Sequence, residues 1–308
     1  MHELIIVGGG PAGLAAAAFA VRKRMDALLI SPGLGGRTRR RLLLPWVDDY
    51  QVIIGEETIQ RFRSQLDYLD FMRVRTPATK ITPIEDGYWV EVSDGHAYET
   101  RTLIIATGTR GVRLNVPGED ELEMRGLCYS AMTYAPLMVD RKVVVVGSEL
   151  LALRAVAELS RIASEVTLLA EFDGDLDTDF GQRILSAPNV TVRRGCRVVA
   201  VKGDSYADTV VIECGGEREE IPTDSIFVEK QLIPNTALVA DLVELDPCGF
   251  IKVDARNSTN RPGLFAAGDC TNASAFQVLM GLGDGEKAAL NAFDYLLGLP
   301  LSVATCEE

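Results

Sequence analysis

No two cysteines lie near one another in this chain of 308 residues. The six, Cys128, Cys196, Cys214, Cys248, Cys270 and Cys306, are scattered, which leaves no zinc pattern and no local Cys-x-x-Cys motif. Positive charge is in deficit: 31 lysines and arginines face 44 acids, a net charge of −13. Nucleic acid is thereby excluded as a partner, because attraction to phosphates needs a basic face. No apolar stretch is long enough to span a bilayer, so no transmembrane segment is expected. Low-complexity segments and linkers rich in proline or serine are missing too. The early apolar strand leaves no room for a signal peptide, and the expected location is cytoplasmic.

Two strand–turn–helix units are present, opening at Leu4 and Val143, and the length suffices for two domains with their own cores. In the first, Leu4-Ile5-Ile6-Val7 runs into Gly8-x-Gly10-Pro11-Ala12-Gly13, a dinucleotide fingerprint. Gly8 allows the tight turn, Gly10 lets backbone approach a pyrophosphate, and Gly13 lets helix pack on strand. The apolar helix that follows turns its free N–H groups toward the phosphates. In the second, Val143-Val144-Val145-Val146 runs into Gly147-Ser148-Glu149-Leu150-Leu151-Ala152. There Glu149 stands where the fingerprint needs glycine, and its carboxylate repels phosphate.

The acid expected about twenty residues beyond the first fingerprint is missing. Ala27-Leu28-Leu29-Ile30 ends in Ser31, whose hydroxyl holds a ribose less firmly than a carboxylate would. Other segments must therefore carry the cofactor. One is Leu103 to Ile105 with Ala106, Thr107 and Gly108. Another is Gly263 to Gly268 with Asp269, an acid suited to a ribityl hydroxyl or a water near the pyrophosphate. The third begins at Gln277 and Val278 and opens a helix whose N–H groups suit a polarised flavin carbonyl.

Together with Gly35-Gly36-Arg37, Val116-Pro117-Gly118-Glu119 and Pro234-Asn235-Thr236, these segments make the chain resemble the low-molecular-weight thioredoxin reductases over nearly its whole length. The resemblance implies an α/β fold of two Rossmann-like dinucleotide-binding domains, the second inserted in the first. It implies an FAD domain at about 1–112 plus 242–308, an inserted NAD(P)-binding-like domain at 113–241, bound FAD and a homodimer. Asp94-Gly95 and Gly215-Gly216 read as hairpin turns in small antiparallel additions.

The chain also departs from that family. The stretch matching its Cys-x-x-Cys reads Ser130-Ala131-Met132-Thr133, followed by Tyr134 where the family has an aspartate. Hydroxyls cannot form a disulfide. The run that grips the NADPH 2′-phosphate becomes Ala170-Glu171-Phe172 with Asp173, Asp175, Asp177 and Asp179 beyond it. Glu171 reads either as a ligand for the ribose diol of NADH or as a solvated acid. NAD(P)H is therefore not expected. A relocated redox thiol has three candidates, Cys128, Cys270 and Cys306, whereas Cys196 and Cys214 read as small buried side chains of a reducing compartment.

Arg37, Arg39, Arg40 and Arg41 form a basic loop followed by Trp46 and Tyr50. Trp46 reads either as a partner stacked on the flavin or as an interdomain core residue, and the arginines as binders of phosphate or an acidic partner, or as a solvated loop. One branch of the family, the diflavin-linked disulfide oxidoreductases of oxygenic photosynthetic bacteria, lacks the nicotinamide site and carries a second FAD. The resulting expectation is a flavin-dependent oxidoreductase acting with a small thiol or a protein dithiol, with one FAD and room for a second. The alternatives are a ferredoxin- or quinone-linked electron carrier and a flavin-binding sensor.

Overall fold

The computed structural model describes residues 1–47, 59–61, 64, 72–273 and 275–298. The chain divides into two compact units, Met1–Arg39 with Ile54–Arg110 and Ile233–Glu308, and Arg40–Ile53 with Gly111–Leu232. Among the described residues no helix is long and apolar enough to cross a membrane.

The first unit is built on β1 (His2–Val7), β2 (Ala27–Ile30), β3 (Arg73–Val74), β4 (Ala78–Ile84), β5 (Gly87–Val92) and β6 (Ala97–Ile105). They order as β3-β2-β1-β6-β5-β4. β1 pairs in parallel with β2 and β6, and its last four residues are buried. The second edge of β6 is shared. β5 pairs antiparallel with residues 97–100, and the late strand Leu264–Ala266 pairs in parallel with residues 103–105. Helix α1 (Pro11–Arg22) is alanine-rich because it is buried for most of its length, from Ala12 to Ala20. It packs on the long helix Val278–Leu296 so closely that a Cβ on Gly285 would lie 1.9 Å from the Ala12 carbonyl.

β7 (Thr109–Gly111) spans the division at 110–111, and in the second unit α2 (Glu119–Leu122), β8 (Leu127–Cys128), α3 (Ala131–Tyr134), β9 (Lys142–Val146) and α4 (Leu150–Leu159) follow. Then come β10 (Glu165–Ala170), α5 (Asp179–Leu185), β11 (Val190–Arg194), β12 (Cys196–Lys202), β13 (Thr209–Cys214), β14 (Glu217–Pro222) and β15 (Ser225–Val228). β16 (Leu232–Pro234), β17 (Leu264–Ala266) and α6 (Val278–Leu296) complete the elements. A parallel sheet runs β11-β10-β9-β15-β8, and β12-β13-β14 form an antiparallel sheet. Both hairpin expectations hold. Asp94-Gly95 lies between β5 and β6, and Gly215 and Gly216, both at positive φ, join β13 to β14 in a two-residue turn.

The units divide differently from the sequence expectation. Residues 40–47 group with the second unit rather than the first, and the return falls at 232–233 rather than at 241–242. The cause is burial. Leu42 and Leu44 lie in the second unit's core beside Val143, Val145 and Phe227. The Leu43 N–H donates to the Met124 carbonyl at 2.8 Å, and the Gly126 N–H to Leu43 at 3.1 Å. Val239 and Val243 pack in the first unit's core with Ile5 and Ile105. Leu42→Ala should therefore destabilise the second unit, by about 3 kcal/mol. Hydrogen exchange of the variant should show lost protection in β9 and β15, with β1 and β6 unchanged.

Candidate dinucleotide sites

The first turn sits at the carboxyl end of β1. Gly8 has φ +116°, and a Cβ there would lie 2.2 Å from the Ala106 carbonyl; on Gly13 it would lie 1.8 Å from the Gly8 carbonyl. Gly10 is different, because a Cβ on it would meet nothing within 4 Å. That open space lies over the start of α1, where Gly10 is the N-cap and offers no side-chain acceptor to the helix N–H groups. Gly36 closes over this turn, with its would-be Cβ 3.0 Å from the Gly10 Cα. Backbone N–H groups facing an uncrowded space suit a pyrophosphate.

The residues expected to line this site are brought together on the first unit. The Ser31 hydroxyl donates to the Gly33 carbonyl at 2.7 Å, which leaves its oxygen free to accept from a ribose hydroxyl. Thr107 donates to the Asn235 carbonyl at 2.7 Å, and the Asn235 amide returns a bond to the Thr107 carbonyl at 3.0 Å. This exchange fixes the Ala106-Thr107-Gly108 turn. Arg37 donates to the Thr109 hydroxyl at 3.2 Å and lies 3.5 Å from the Asp269 carboxylate. Burial pushes the Asp269 carboxyl up, Arg37 opposes that, and Asp284 adds to it. The pairing of Arg37 with Asp269 was not foreseen, since the two lie in distant segments. Ala12 backs Gly268, and Gln277 caps α6 without a side-chain bond, so the N–H groups beginning at Val278 stay open.

The second turn is built differently. Gly147 keeps its place, since a Cβ on it would lie 2.3 Å from the Glu229 carbonyl. Glu149 is exposed and is itself the N-cap of α4. The acidic segment folds back onto this turn. The Asp175 N–H donates to the Ser148 carbonyl at 2.8 Å, and a Cβ on Gly174 would lie 2.1 Å from the same oxygen. Arg194 holds the segment down, 3.0 Å from Asp173 and 2.7 Å from Asp177. Glu171 lies 3.4 Å from Lys230. Of the two readings of Glu171, the ion pair favours the solvated acid.

At the same end of the sheet, the Ser130 and Thr133 hydroxyls lie 2.8 Å apart, within hydrogen-bond distance. Glu229, buried just past β15, accepts the Ala131 N–H at 2.5 Å. Sequence reasoning missed Glu229. Its signal was an acid directly after the apolar strand Ile226-Phe227-Val228.

Trp46 packs within the second unit. Its indole N–H donates to the Leu137 carbonyl at 3.1 Å, and the Arg141 guanidinium lies 4.3 Å above its ring, all within the second unit. Arg40 lies 3.4 Å from Glu123. With Arg41, Leu43, Met124 and Arg125, these two line an open depression of about 320 Å³. Tyr50 lies outside the described residues.

The cysteines also depart from expectation. Cys196 and Cys214, read as isolated buried side chains, form a disulfide. They are opposite residues on β12 and β13. Two of the three redox candidates lie in the cores instead. Cys128 is fully buried in the second unit's core. Cys270 is fully buried in the first, where its Sγ lies 3.5 Å from the Ile105 and Ala267 carbonyls and burial pushes its thiol pKa up. A thiol so placed is unreactive. Cys306 lies outside the described residues.

Fold and turns together define a thioredoxin-reductase-like protein of two dinucleotide-binding units. Residues 2–292 match the model of the pyridine nucleotide-disulphide oxidoreductases, and the chain belongs to that family. The F subunit of alkyl hydroperoxide reductase in Pseudomonas aeruginosa is 34% identical over 305 residues, which cover 96% of this chain and 58% of that protein. The Staphylococcus aureus (strain MSSA476) protein of the same name is 32% identical over 301 residues, covering 96% and 59%. The chain thus spans less than two thirds of the length of these relatives. Thioredoxin reductase from Streptococcus pyogenes superposes with a TM-score of 0.86 at 27% identity, covering 97% of this chain and 99% of that one. Thioredoxin reductase from Lactococcus lactis gives 0.65 at 28% identity, covering 97% and 100%.

Proposed function

We propose that the chain is an FAD-dependent thiol/disulfide oxidoreductase that does not draw electrons from NADPH or NADH. The observation that carries this is the second turn, where Glu149 caps the helix and the 173–177 segment is tied to Ser148. The turn offers a phosphate a carboxylate at its helix start, which repels it. Relatives named alkyl hydroperoxide reductase and thioredoxin reductase support the thiol chemistry.

The residues of the first unit suit FAD. The start of α1 would hold the pyrophosphate, Ser31 a ribose hydroxyl, Asp269 with Arg37 the ribityl side, and the start of α6 a ring carbonyl. Bound there, FAD supplies reversible two-electron chemistry. Arg37 would keep a negative charge on Asp269 against the upward pull of burial. A small thiol or a protein dithiol is the proposed partner, and a homodimer the proposed assembly. The finer reading is a second FAD, whose phosphates Arg40, Arg41 and Arg125 would bind at the depression they share with Glu123, the acid paired with Arg40.

Two measurements test this. Flavin released from the purified chain should be FAD, and a value near two per chain is the result for a diflavin protein, near one for a single-flavin protein. Under anaerobic conditions, excess dithiothreitol should bleach the flavin band, while equal NADPH or NADH should leave it unchanged for minutes. Rapid bleaching by either nucleotide would overturn the reading of the second turn.

A further inference from the structure

We propose that Cys196–Cys214 is an exchangeable disulfide, attacked at Cys214 by an external dithiol. The inference deepens the thiol/disulfide reading and rests on it for the nature of the partner, but not for the chemistry of the bond.

The two cysteines differ in exposure as residues. Cys196, the first residue of β12, is 4% exposed, while Cys214, the last residue of β13, is half-buried. Gly215 and Gly216 follow Cys214, and a Cβ on either would meet nothing within 4 Å. The approach to Cys214 is thus bounded by a turn without side chains. The neighbouring Glu213 is bound to Arg197 at 2.6 Å and lies 3.4 Å from Arg218. Glu217 lies across from Cys214 on β14 and is exposed.

The site is prepared for both redox states. A disulfide sulfur has no hydrogen to donate, yet the Cys196 Sγ lies 3.4 Å from the Arg194 carbonyl. Once reduced, the Cys196 S–H has an acceptor waiting. The sheet does not depend on the bond, because β12 and β13 pair from 196 to 202, with Val201, Val210 and Ile212 buried beneath.

The exchange balances in two steps. The partner's thiolate attacks the Cys214 Sγ, a mixed disulfide forms, and the Cys196 sulfur leaves and takes a proton. The partner's second thiol then attacks the mixed disulfide at its own sulfur and releases Cys214 as a thiol. The partner is oxidised by two electrons, and two protons pass to the cysteines. Access sets the direction of attack, since exchange depends on which sulfur can be reached.

The test uses the full flavin-loaded chain with Cys248→Ser and Cys306→Ser, which remove two competing thiols. The folded protein is treated with dithiothreitol, quenched with N-ethylmaleimide and mapped by mass spectrometry. Both Cys196 and Cys214 should be alkylated without denaturant. In a second arm, Cys196→Ser should take up glutathione from glutathione disulfide at Cys214. Cys214→Ser should do so at Cys196 at least tenfold more slowly. A bond that resists dithiothreitol until denaturant is added, or equal rates at the two cysteines, would overturn the proposal. The first arm needs no variant at the disulfide itself. Because neither arm reads the flavin, failure here is separable from failure of the proposed function.

Discussion

Gly10→Ala should lower FAD affinity by about 100-fold, or about 2.7 kcal/mol, while the protein stays folded. The backbone at Gly10 has φ −76° and ψ −175°, an extended conformation open to any L-residue. The added methyl meets no protein atom within 4 Å, so the free protein gains no clash. It does enter the space over the α1 N-terminus, where the N–H groups must come close to a pyrophosphate. At an N-cap the exchange of glycine for alanine costs about 1 kcal/mol of helix stability. Gly13→Ala is the contrasting variant, because its Cβ would fall 1.8 Å from the Gly8 carbonyl and force helix from strand. It should lose folded protein as well as flavin. Titration of each apoprotein with FAD, followed by quenching of flavin fluorescence, separates the two effects when paired with thermal unfolding of the same apoproteins. Parent-like affinity in a folded Gly10→Ala protein would remove the first turn from the flavin site.

The difference between those glycines was legible from the fingerprint, because each requirement is local to one strand–turn–helix unit. The two hairpins were legible for the same reason, since glycine at positive φ marks each turn, Gly95 in one and Gly215 with Gly216 in the other. The disulfide was not. β12 and β13 are joined by residues 203–208, and their pairing shifts by one residue between Val198 and Ala200. Extended back without that bulge, the pairing of Lys202 with Thr209 would set Cys196 opposite Gly215 rather than Cys214. Only the bulge makes the two sulfurs meet. The place of residues 40–47 was not legible, because Leu42-Leu43-Leu44 is an unbroken apolar run in sequence and only the structure buries Leu42 and Leu44 while exposing Leu43. Arg37 and Asp269 met only through the folding of the first unit around α1.

The motif Val116-Pro117-Gly118-Glu119 contributed to the resemblance, but its acid has a structural consequence of its own. Glu119 is 2% exposed and sits in the second unit with every oxygen engaged. It accepts the Leu114 N–H at 2.7 Å and the Asn115 N–H at 2.6 Å, takes the Tyr129 hydroxyl, and lies 3.8 Å from Arg113. Burial pushes its carboxyl up, but the Tyr129 hydroxyl, the two N–H groups and Arg113 together hold it below the usual carboxylate range. Burial and Glu119 in turn raise the Tyr129 phenol, so it remains a donor throughout the neutral range. Glu119→Ala removes the acceptor of the Leu114 and Asn115 N–H groups and the carboxylate bound by the Tyr129 hydroxyl, and should cost about 3 kcal/mol. The sign of the pH effect follows from the lowered value. The stabilisation is complete above the unfolded carboxyl's ordinary pKa of about 4.3 and disappears as pH falls through the lower folded value. Urea unfolding of the parent and of Glu119→Ala should differ by the full amount at pH 7. The gap should narrow only at strongly acid pH, below that of a free glutamate. A gap that closed between pH 7 and pH 5 would show that Glu119 is not held as a buried carboxylate.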